Sequence, residues 1–406
     1  MKILFIHTMS VFAAAGGAEV SLRHLTQALT AAGHQCVFLA AGPHGKTRRI
    51  QRDGITVIEV GVRNLYWPFD DRSRSKITRL AWHGLDSVNP FMRRVVNQVC
   101  RDEQPDVASV HNLPGWSVGV WDALNDAGVP IVQVLHDQYL MCTNGTMFRK
   151  GQNCASRCGS CRLLRLPHRS KSRRVSAVVG VSKFILERHR DQGYFSGVNI
   201  QRVIHNARPK AIFEHKPPIP RSDQSTLRIG FIGSITPAKG VKSLLEAFEH
   251  ADLKHAELWV AGDLKSRYAK SIRDSTEDSR IRFLGRVKQA EFFPEVDIVV
   301  VPSLWRDTFP GVAFESLIFG RPVIAVNHGG APEIIQDGRN GLLFDPLDRT
   351  ALSCRLKQIG SDRYLLYRLS EQAAADGLRY LDTGRWAEQY LSVYSSAQAP
   401  KPHLNC

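Results

Sequence analysis

A run of short, almost purely apolar segments starts twice in this chain. KILFIH at residues 2–7 opens the first series, and LRIGFIG opens the second at Leu227. In the first series the segments fall near 36–40, 56–60, 107–110, 130–135 and 176–180. In the second they fall near 257–262, 281–284, 297–302 and 322–326. They are rich in Val, Ile, Leu and Phe and lack polar alternation, the pattern of strands covered on both faces. Helical patterns lie between them, at 18–33, 239–249 and 311–319. Strand and helix in alternation give parallel sheets with right-handed crossovers. The stretch from 208 to 227 carries four prolines and little periodicity, which is linker composition.

The predicted fold class is therefore α/β, with two Rossmann-like, doubly wound parallel-sheet domains whose strand ends face a central cleft. The expected boundaries are 1–207 for the first domain, with a Cys-rich insertion at 142–174, and 208–226 for the linker. The second domain is expected at 227–385, with a terminal helix and tail at 386–406. Trp386, Tyr390 and Tyr394 recur at i, i+4, i+8 and mark the face by which that helix docks.

Composition narrows the function. The 406 residues carry a net charge of +16, which favours an anionic partner: nucleic acid, an anionic membrane face or a phosphorylated substrate. No apolar run approaches the roughly 18 residues that cross a bilayer, and MKILFIHTMS lacks a cleavable signal pattern. A cytoplasmic protein is expected, with peripheral contact to the inner face of the cell membrane as an extension of that reading.

Ligands of doubly wound sheets sit beyond the carboxyl ends of the strands. After the first strand, Gly16-Gly17 precedes a helix, where backbone N–H groups suit an anion or a sugar oxygen. No G-x-G-x-x-G spacing is present, so the dinucleotide fingerprint is missing. His111 and His136 each end a strand and are candidates for hydrogen bonding to a hydroxyl or phosphate. In FIGSITPAKGVKSLLEAF, Lys239 lies at a helix start, where it opposes the macrodipole and calls for an anion; no local partner is evident. The densest segment runs from Pro302 to Phe344. It holds Asp307 in a loop, Glu315 in the following helix, Gly329-Gly330, and Glu333 near a further helix start. Two carboxylates and a Gly-Gly loop can hold a polyhydroxylated, phosphorylated ligand. Glu315 sits among apolar residues in VAFESLIF, so it needs a partner.

These motifs together resemble the glycosyltransferases of family 4, with the GT-B fold. The segment 302–344 resembles the family's E-x7-E block followed by G-x-P-V-I and G-G-x-x-E-I-I, and GSITPAKGVKSLLEAF resembles its phosphate-binding loop. The resemblance implies transfer of a sugar from a nucleotide-diphosphate sugar to an acceptor hydroxyl, with retention of anomeric configuration. The acceptor would be a carbohydrate or lipid-linked precursor in polysaccharide or glycolipid biosynthesis. It implies catalytic roles for His136, Asp307 and Lys239. Donor binding would fall to Gly17, Ser234, Lys239, Glu315, Gly329, Gly330 and Glu333. It also implies that no cofactor is required, because basic side chains and helix N-termini stabilise the departing diphosphate. Two positions depart from the family pattern. Asp307 is one methylene shorter than the usual Glu, and Ser234 stands where many members carry an Arg that clamps the diphosphate.

Cys142, Cys154, Cys158 and Cys161 follow His136-Asp137 and resemble a Cys-bearing insertion of some relatives. Four thiolates with a C-x2-C pair suit a structural zinc, with an iron–sulfur cluster, free thiols or disulfides as alternatives. Residues 149–174 contain nine Lys or Arg and no Asp or Glu, with Leu163, Leu164 and Leu166 interspersed, a composition suited to an anionic lipid surface. Two rival readings remain: a catalytically impaired GT-B scaffold, which Asp307 and Ser234 keep open, and a basic nucleic-acid-binding protein with a four-cysteine metal site. No RNA-binding aromatic motif or finger histidine pattern is present, so no nucleic acid is expected as a partner.

Overall fold

The computed structural model describes residues 1–12, 16–70, 72–213 and 226–398. Most of the expected linker, from 214 to 225, and the tail beyond 398 lie outside the described residues. The chain divides into two compact units. One comprises Met1–Met147, Cys154–Ala207 and the C-terminal stretch from Thr383; the other comprises Phe148–Asn153 and Arg208–Asp382.

The first unit holds β1 (Lys2–His7), β2 (Gln35–Gly42), β3 (Arg48–Arg52), β4 (Ile55–Gly61), β5 (Val107–Val110) and β6 (Ile131–Leu135). A two-stranded hairpin follows, β7 (Phe148–Arg149) with β8 (Gln152–Asn153), and then β9 (Ala177–Gly180) and β10 (Ile200–Val203) complete the sheet. The sheet order is β10-β9-β6-β5-β1-β2-β4-β3, parallel except for the β3–β4 pair. β5 and β6 are buried at every position, as the continuous apolar runs require. β3, RRIQR, is exposed throughout and was not expected; it is held as an edge strand by backbone pairing to β4. The helix Pro90–Glu103 starts where its composition dictates. Buried Asn89 caps it by accepting from the Phe91 and Met92 N–H groups, and Pro90 occupies the first turn, where no donor is needed.

The second unit holds β11 (Leu227–Ile232), β12 (Ala256–Ala261), β13 (Ile281–Gly285), β14 (Ile298–Val301), β15 (Val323–Val326) and β16 (Gly341–Phe344). Its order, β13-β12-β11-β14-β15-β16, is all parallel and reverses between β11 and β14. In strand numbers of that unit it reads 3-2-1-4-5-6, the doubly wound order whose ligands bind at the reversal. The core packs Ile229, Leu258, Ile298 and Ile324 of the sheet against Leu244 and Phe248 of the helix Val241–Ala251.

Two segments group differently from the expected boundaries. The β7–β8 hairpin, expected within the first domain, groups with the second unit, where the Asn153 side-chain amide pairs with backbone groups of residues 304 and 306. The terminal helix Thr383–Gln398 returns to the first unit. It buries Trp386, Tyr390 and Tyr394 there, the face that the i, i+4, i+8 spacing marks.

Candidate functional site

Each unit gathers polar groups at the carboxyl ends of the strands that flank its reversal of order. In the second unit these are the loops after β11 and β14. The loop after β11 ends in a single 3-10 turn, Pro237–Lys239, and Gly240 at φ 72° starts the helix at Val241. A Cβ at Gly240 would meet the Pro302 carbonyl oxygen at 2.0 Å, so only glycine lets the two loops touch. Lys239 therefore lies just ahead of the helix rather than in its first turn. The anion it calls for is present within the chain: its Nζ lies 2.6 Å from Oδ2 of Asp307 and 5.3 Å from the centre of the Trp305 ring. The expectation of a lysine without a local partner is thus corrected, since the partner is 68 positions away in sequence.

Asp307 is held from two sides. Asn153 donates from Nδ2 to the Leu304 carbonyl at 2.7 Å and accepts from the Arg306 N–H at 3.0 Å, which fixes the loop immediately before Asp307. Gly330 N–H donates to the Asp307 carbonyl at 2.8 Å. Cβ atoms at Gly329 and Gly330 would lie 2.4 Å and 2.0 Å from the carbonyl oxygens of Asp307 and Thr308. The Gly-Gly pair is thus required by close backbone approach. Glu333 closes the 3-10 turn Ala331–Glu333, with its N–H bonded to the Gly330 carbonyl. The further helix expected after it does not form. Ser234 is exposed in the loop after β11.

Glu315 is buried in the helix Gly311–Ile318 and has the partner its surroundings require. Arg208 Nε and Nη2 both lie 2.7 Å from its Oε1, Gln289 donates to its Oε2, and the Arg208 guanidinium rests over the Phe314 ring at 4.8 Å. A Cβ on Gly311 would be 3.4 Å from Arg208 Nη2, so the bare helix start leaves room for that pair.

The site of the first unit has a different character. His7 ends β1 and stands 3.6 Å from the Glu19 carboxylate, which folds back over Gly16; a Cβ there would be 2.1 Å from Glu19 Oε2. Gly17 opens the helix Gly17–Ala31 and has open space where a Cβ would go. His111, after β5, hydrogen-bonds through Nδ1 to His136 Nε2 at 2.9 Å and through Nε2 to Ser109 Oγ at 3.0 Å. Desolvation pushes His136 down to about 3, with the neighbouring His7 adding to the effect. It also holds His111 well below, and His7 below, the usual histidine value, the latter despite Glu19. Desolvation raises Asp137 to about 6 against the hydrogen bond from the Tyr139 N–H. At neutral pH the three imidazoles are uncharged hydrogen-bonding groups. A small pocket lies against His111, Gln133, His136, Asp137 and Tyr139.

The fold brings Cys142 and Cys158 each within hydrogen-bonding reach of Cys161. Among the described residues no three His, Cys, Asp or Glu side chains come together to hold a metal ion. Instead, the Cys142 and Cys161 thiols hydrogen-bond to one another, which lowers Cys142 to about 6 and, together with burial, raises Cys161 to about 12. The basic stretch is also smaller than its composition implies. Arg165 is fully buried, with its guanidinium over the Tyr139 ring and 3.5 Å from Asp86. Lys171 and Arg174 both pair with Asp122.

Sequence reasoning missed Glu19, Asn153, Arg208 and the Ser109 link to His111. Of these, only Glu19, acidic in the first turn after Gly-Gly, carried a local signal.

Comparisons with known proteins agree with this architecture. Residues 16–207 match the "Glycosyl transferase 4-like domain" model, and residues 226–362 match "Glycosyl transferases group 1". An uncharacterized 42.6 kDa protein in the cps region of Klebsiella pneumoniae is 24% identical over 82% of this chain and 87% of its own length. A D-inositol 3-phosphate glycosyltransferase of Corynebacterium kroppenstedtii is 30% identical over 44% of this chain, and the match spans only 42% of that relative. Sucrose-phosphate synthase from Thermosynechococcus elongatus superposes with a TM-score of 0.74 at 18% identity, covering 97% of this chain and 98% of that one. HepE of Anabaena, solved with UDP and glucose, superposes with a TM-score of 0.70 at 18% identity over 98% of this chain and 100% of its own. With one family model on each unit and GT-B structures matching along the whole chain, this protein belongs to the GT4-type glycosyltransferases and has the GT-B fold.

Proposed function

We propose that this enzyme transfers a sugar from a nucleotide-diphosphate donor to an acceptor hydroxyl, with retention of configuration, during assembly of a surface polysaccharide. The observation that carries the reading is the Lys239–Asp307 pair, set beside Gly329-Gly330 at the strand reversal of the second unit. A diphosphate arriving there offers Lys239 a stronger anion than one carboxylate, and Asp307 is released to accept from sugar hydroxyls. The HepE structures hold UDP, or UDP-glucose, which supports a nucleotide-sugar donor. The Klebsiella relative from a cps region supports the polysaccharide role. On this reading the leaving diphosphate is stabilised by fixed donors. One of its oxygens helps deprotonate the acceptor on the face it departs from, so neither Asp307 nor Glu315 acts as a nucleophile. The acceptor is a carbohydrate or a lipid-linked precursor.

The test is a thermal-shift screen of nucleotide diphosphates and their sugars, followed by an assay of nucleotide release and NMR of the product's anomeric configuration. A donor at 100 times its Kd stabilises by about 2.7 kcal/mol. Lys239→Ala is expected to lower turnover at least about tenfold with the fold retained, since removing one preorganised donor costs roughly 10²–10³ in analogous sites. No shift and no release with any donor would sink the reading; inversion would remove the retaining mechanism alone.

An anionic membrane surface is part of the same proposal. Leu163 and Leu166 are 72% and 71% exposed, beside exposed Arg162, Arg169 and Arg173. Salt-sensitive binding to vesicles containing phosphatidylglycerol, and none to phosphatidylcholine alone, is the expected result.

A further inference from the structure

Tyr394 lies on the terminal helix, 285 positions from Ser109, and is completely buried. Its hydroxyl donates to Ser109 Oγ at 2.9 Å. Ser109, also fully buried, continues to His111 Nε2 at 3.0 Å, and His111 Nδ1 continues to His136 Nε2 at 2.9 Å. The His111 and His136 rings lie 27° from coplanar, in keeping with an in-line bond between them. The four groups form one unbroken chain in the first unit, from its terminal helix to the end of β6.

Proton accounting along this chain has one solution that uses every donor. Neutral imidazole carries one N–H and one lone pair, and a hydroxyl carries one proton. Tyr394 donates to Ser109, so the Ser109 proton must go to His111 Nε2. That leaves the His111 proton on Nδ1, from which it is donated to His136 Nε2. His136 then carries its own proton on Nδ1. The reverse assignment, with His111 donating from Nε2, would point two donors at Ser109 and strand the serine proton in a dry interior. An unmade hydrogen bond there leaves a desolvated donor uncompensated. Two neighbours of the chain leave its direction unchanged. Gln133 Nε2 binds the His111 carbonyl, not the ring, and the His7 Nδ1 atom is engaged with Met9.

We propose that Tyr394, Ser109 and His111 are positioning residues that lock His136 in its Nδ1–H tautomer, so that this histidine meets its ligand as a hydrogen-bond donor and not as a base. The inference rests on the placement of His136 in the site, but its direct readout does not require activity. Burial of Tyr394, Ser109 and His111 and desolvation of the half-buried His136 keep the chain uncharged across neutral pH, so the tautomer is its only variable. The terminal helix thereby acquires a role beyond packing: the last helix of the chain sets the proton on a histidine at the end of β6.

The experiment is two-bond ¹H–¹⁵N correlation NMR of the full chain labelled at histidine nitrogens, with His111→Gln and His136→Gln used to assign the signals. The expected result is a protonated Nδ1 and a bare Nε2 at both residues. Tyr394→Phe, which keeps the ring and removes the donor, should move both toward mixed tautomers; Ser109→Ala should do the same. With the donor found by the screen above, Tyr394→Phe should lower kcat about tenfold, with KM nearly unchanged, because the variant weakens the orientation of a hydrogen-bond donor and does not remove it. A proton on Nε2 at either histidine of the parent protein overturns the proposal, and so does an unchanged tautomer pattern in folded Tyr394→Phe. If Tyr394→Phe does not fold, the parent spectrum alone decides. If no donor is turned over at all, the functional reading fails while the tautomer pattern still decides this one.

Discussion

The two units solve the same problem with opposite electrostatics. At the strand reversal of the second unit the clustered polar groups are charged and paired, Lys239 with Asp307 and, in the helix Gly311–Ile318, Glu315 with Arg208. At the corresponding place in the first unit they are histidines held neutral by desolvation, His7, His111 and His136. A charged site suits a ligand that brings its own charge, because the pairs can be exchanged for contacts to the ligand. A neutral, dry network suits hydroxyl groups, which need directed hydrogen bonds and bring no charge. The difference also predicts how each site fails.

The largest effect is expected where a buried charge loses its partner. Arg208→Met leaves the Glu315 carboxylate, 3% exposed, with Gln289 as its remaining described side-chain partner. Removing one member of a buried pair costs about 3–5 kcal/mol. Replacing both members with apolar side chains of similar volume is often close to neutral, so Arg208→Met with Glu315→Leu should recover most of that loss. Urea denaturation of the single and double variants checks it. Equal destabilisation in both would mean that packing over Phe314, and not the charge, holds the helix.

A smaller effect separates the two Gly-Gly loops. At Gly330 an added Cβ meets the Thr308 carbonyl oxygen at 2.0 Å, whereas at Gly17 it meets nothing within 4 Å. Gly330→Ala is expected to cost about 1–3 kcal/mol through forced backbone displacement. It should also abolish activity, since the displaced loop carries Asp307. Gly17→Ala should stay within about 0.5 kcal/mol, so any activity it loses reports on ligand approach and not on folding. Thermal melts of the two variants side by side distinguish the cases, and a larger loss for Gly17→Ala would reverse the comparison.

How much of this was legible in the chain follows from the range of the interactions involved. The strands β1, β5, β6, β14 and β15 were readable because burial on both faces leaves continuous apolar runs. Lys239, Asp307 and Gly329-Gly330 were readable because they occupy the short loops immediately after such strands. β3 was not, because RRIQR buries nothing and is held by backbone pairing to β4 and by polar side-chain contacts such as Arg49 with Glu103 and Gln51 with Thr56. Arg208 and Asn153 were hidden for another reason. Each is an ordinary polar residue outside any long periodic segment, Asn153 on the two-residue strand β8 and Arg208 in a loop, and its partner lies 107 or 151 positions away. The partner of Lys239 escaped in the same way: the lysine announced a need for an anion, and only the fold supplies Asp307. The cysteine spacing was legible as a cluster, but spacing does not fix where sulfur atoms point. The fold brings Cys142 and Cys158 to Cys161, and among the described residues no group of three is arranged to hold a metal ion.

The smallest effect per group is a pH dependence that should differ between the units. In the first unit His7, His34, His83, His111, His136, His168 and His189 all lie below the usual value, with burial as the leading cause. Such a histidine binds its proton only once unfolded, so acid favours the unfolded chain from about pH 6.5 downward, by at most about 1.4 kcal/mol per pH unit for each fully desolvated ring. Asp86 and Asp137, raised to about 6 by desolvation, work the other way between about pH 6 and the unfolded value near 3.8, but two carboxyls are outnumbered. In the second unit only His328 is lowered among the described histidines. There the shifted carboxyls Asp263, Asp278, Asp348 and Asp376 are held down by hydrogen bonds, and for Asp263, Asp278 and Asp376 these include an arginine. Their contribution persists until the pH falls below about 3.8 and through their folded values. Between pH 6.5 and 4 the first unit should therefore loosen while the second holds. Hydrogen-exchange mass spectrometry, corrected for the intrinsic rate, should show protection falling in β1, β5 and β6 before β11, β14 and β15. Simultaneous loss in both sets would mean that the units unfold as one cooperative body, and that the neutral histidines of the first are stabilised at the expense of the whole chain.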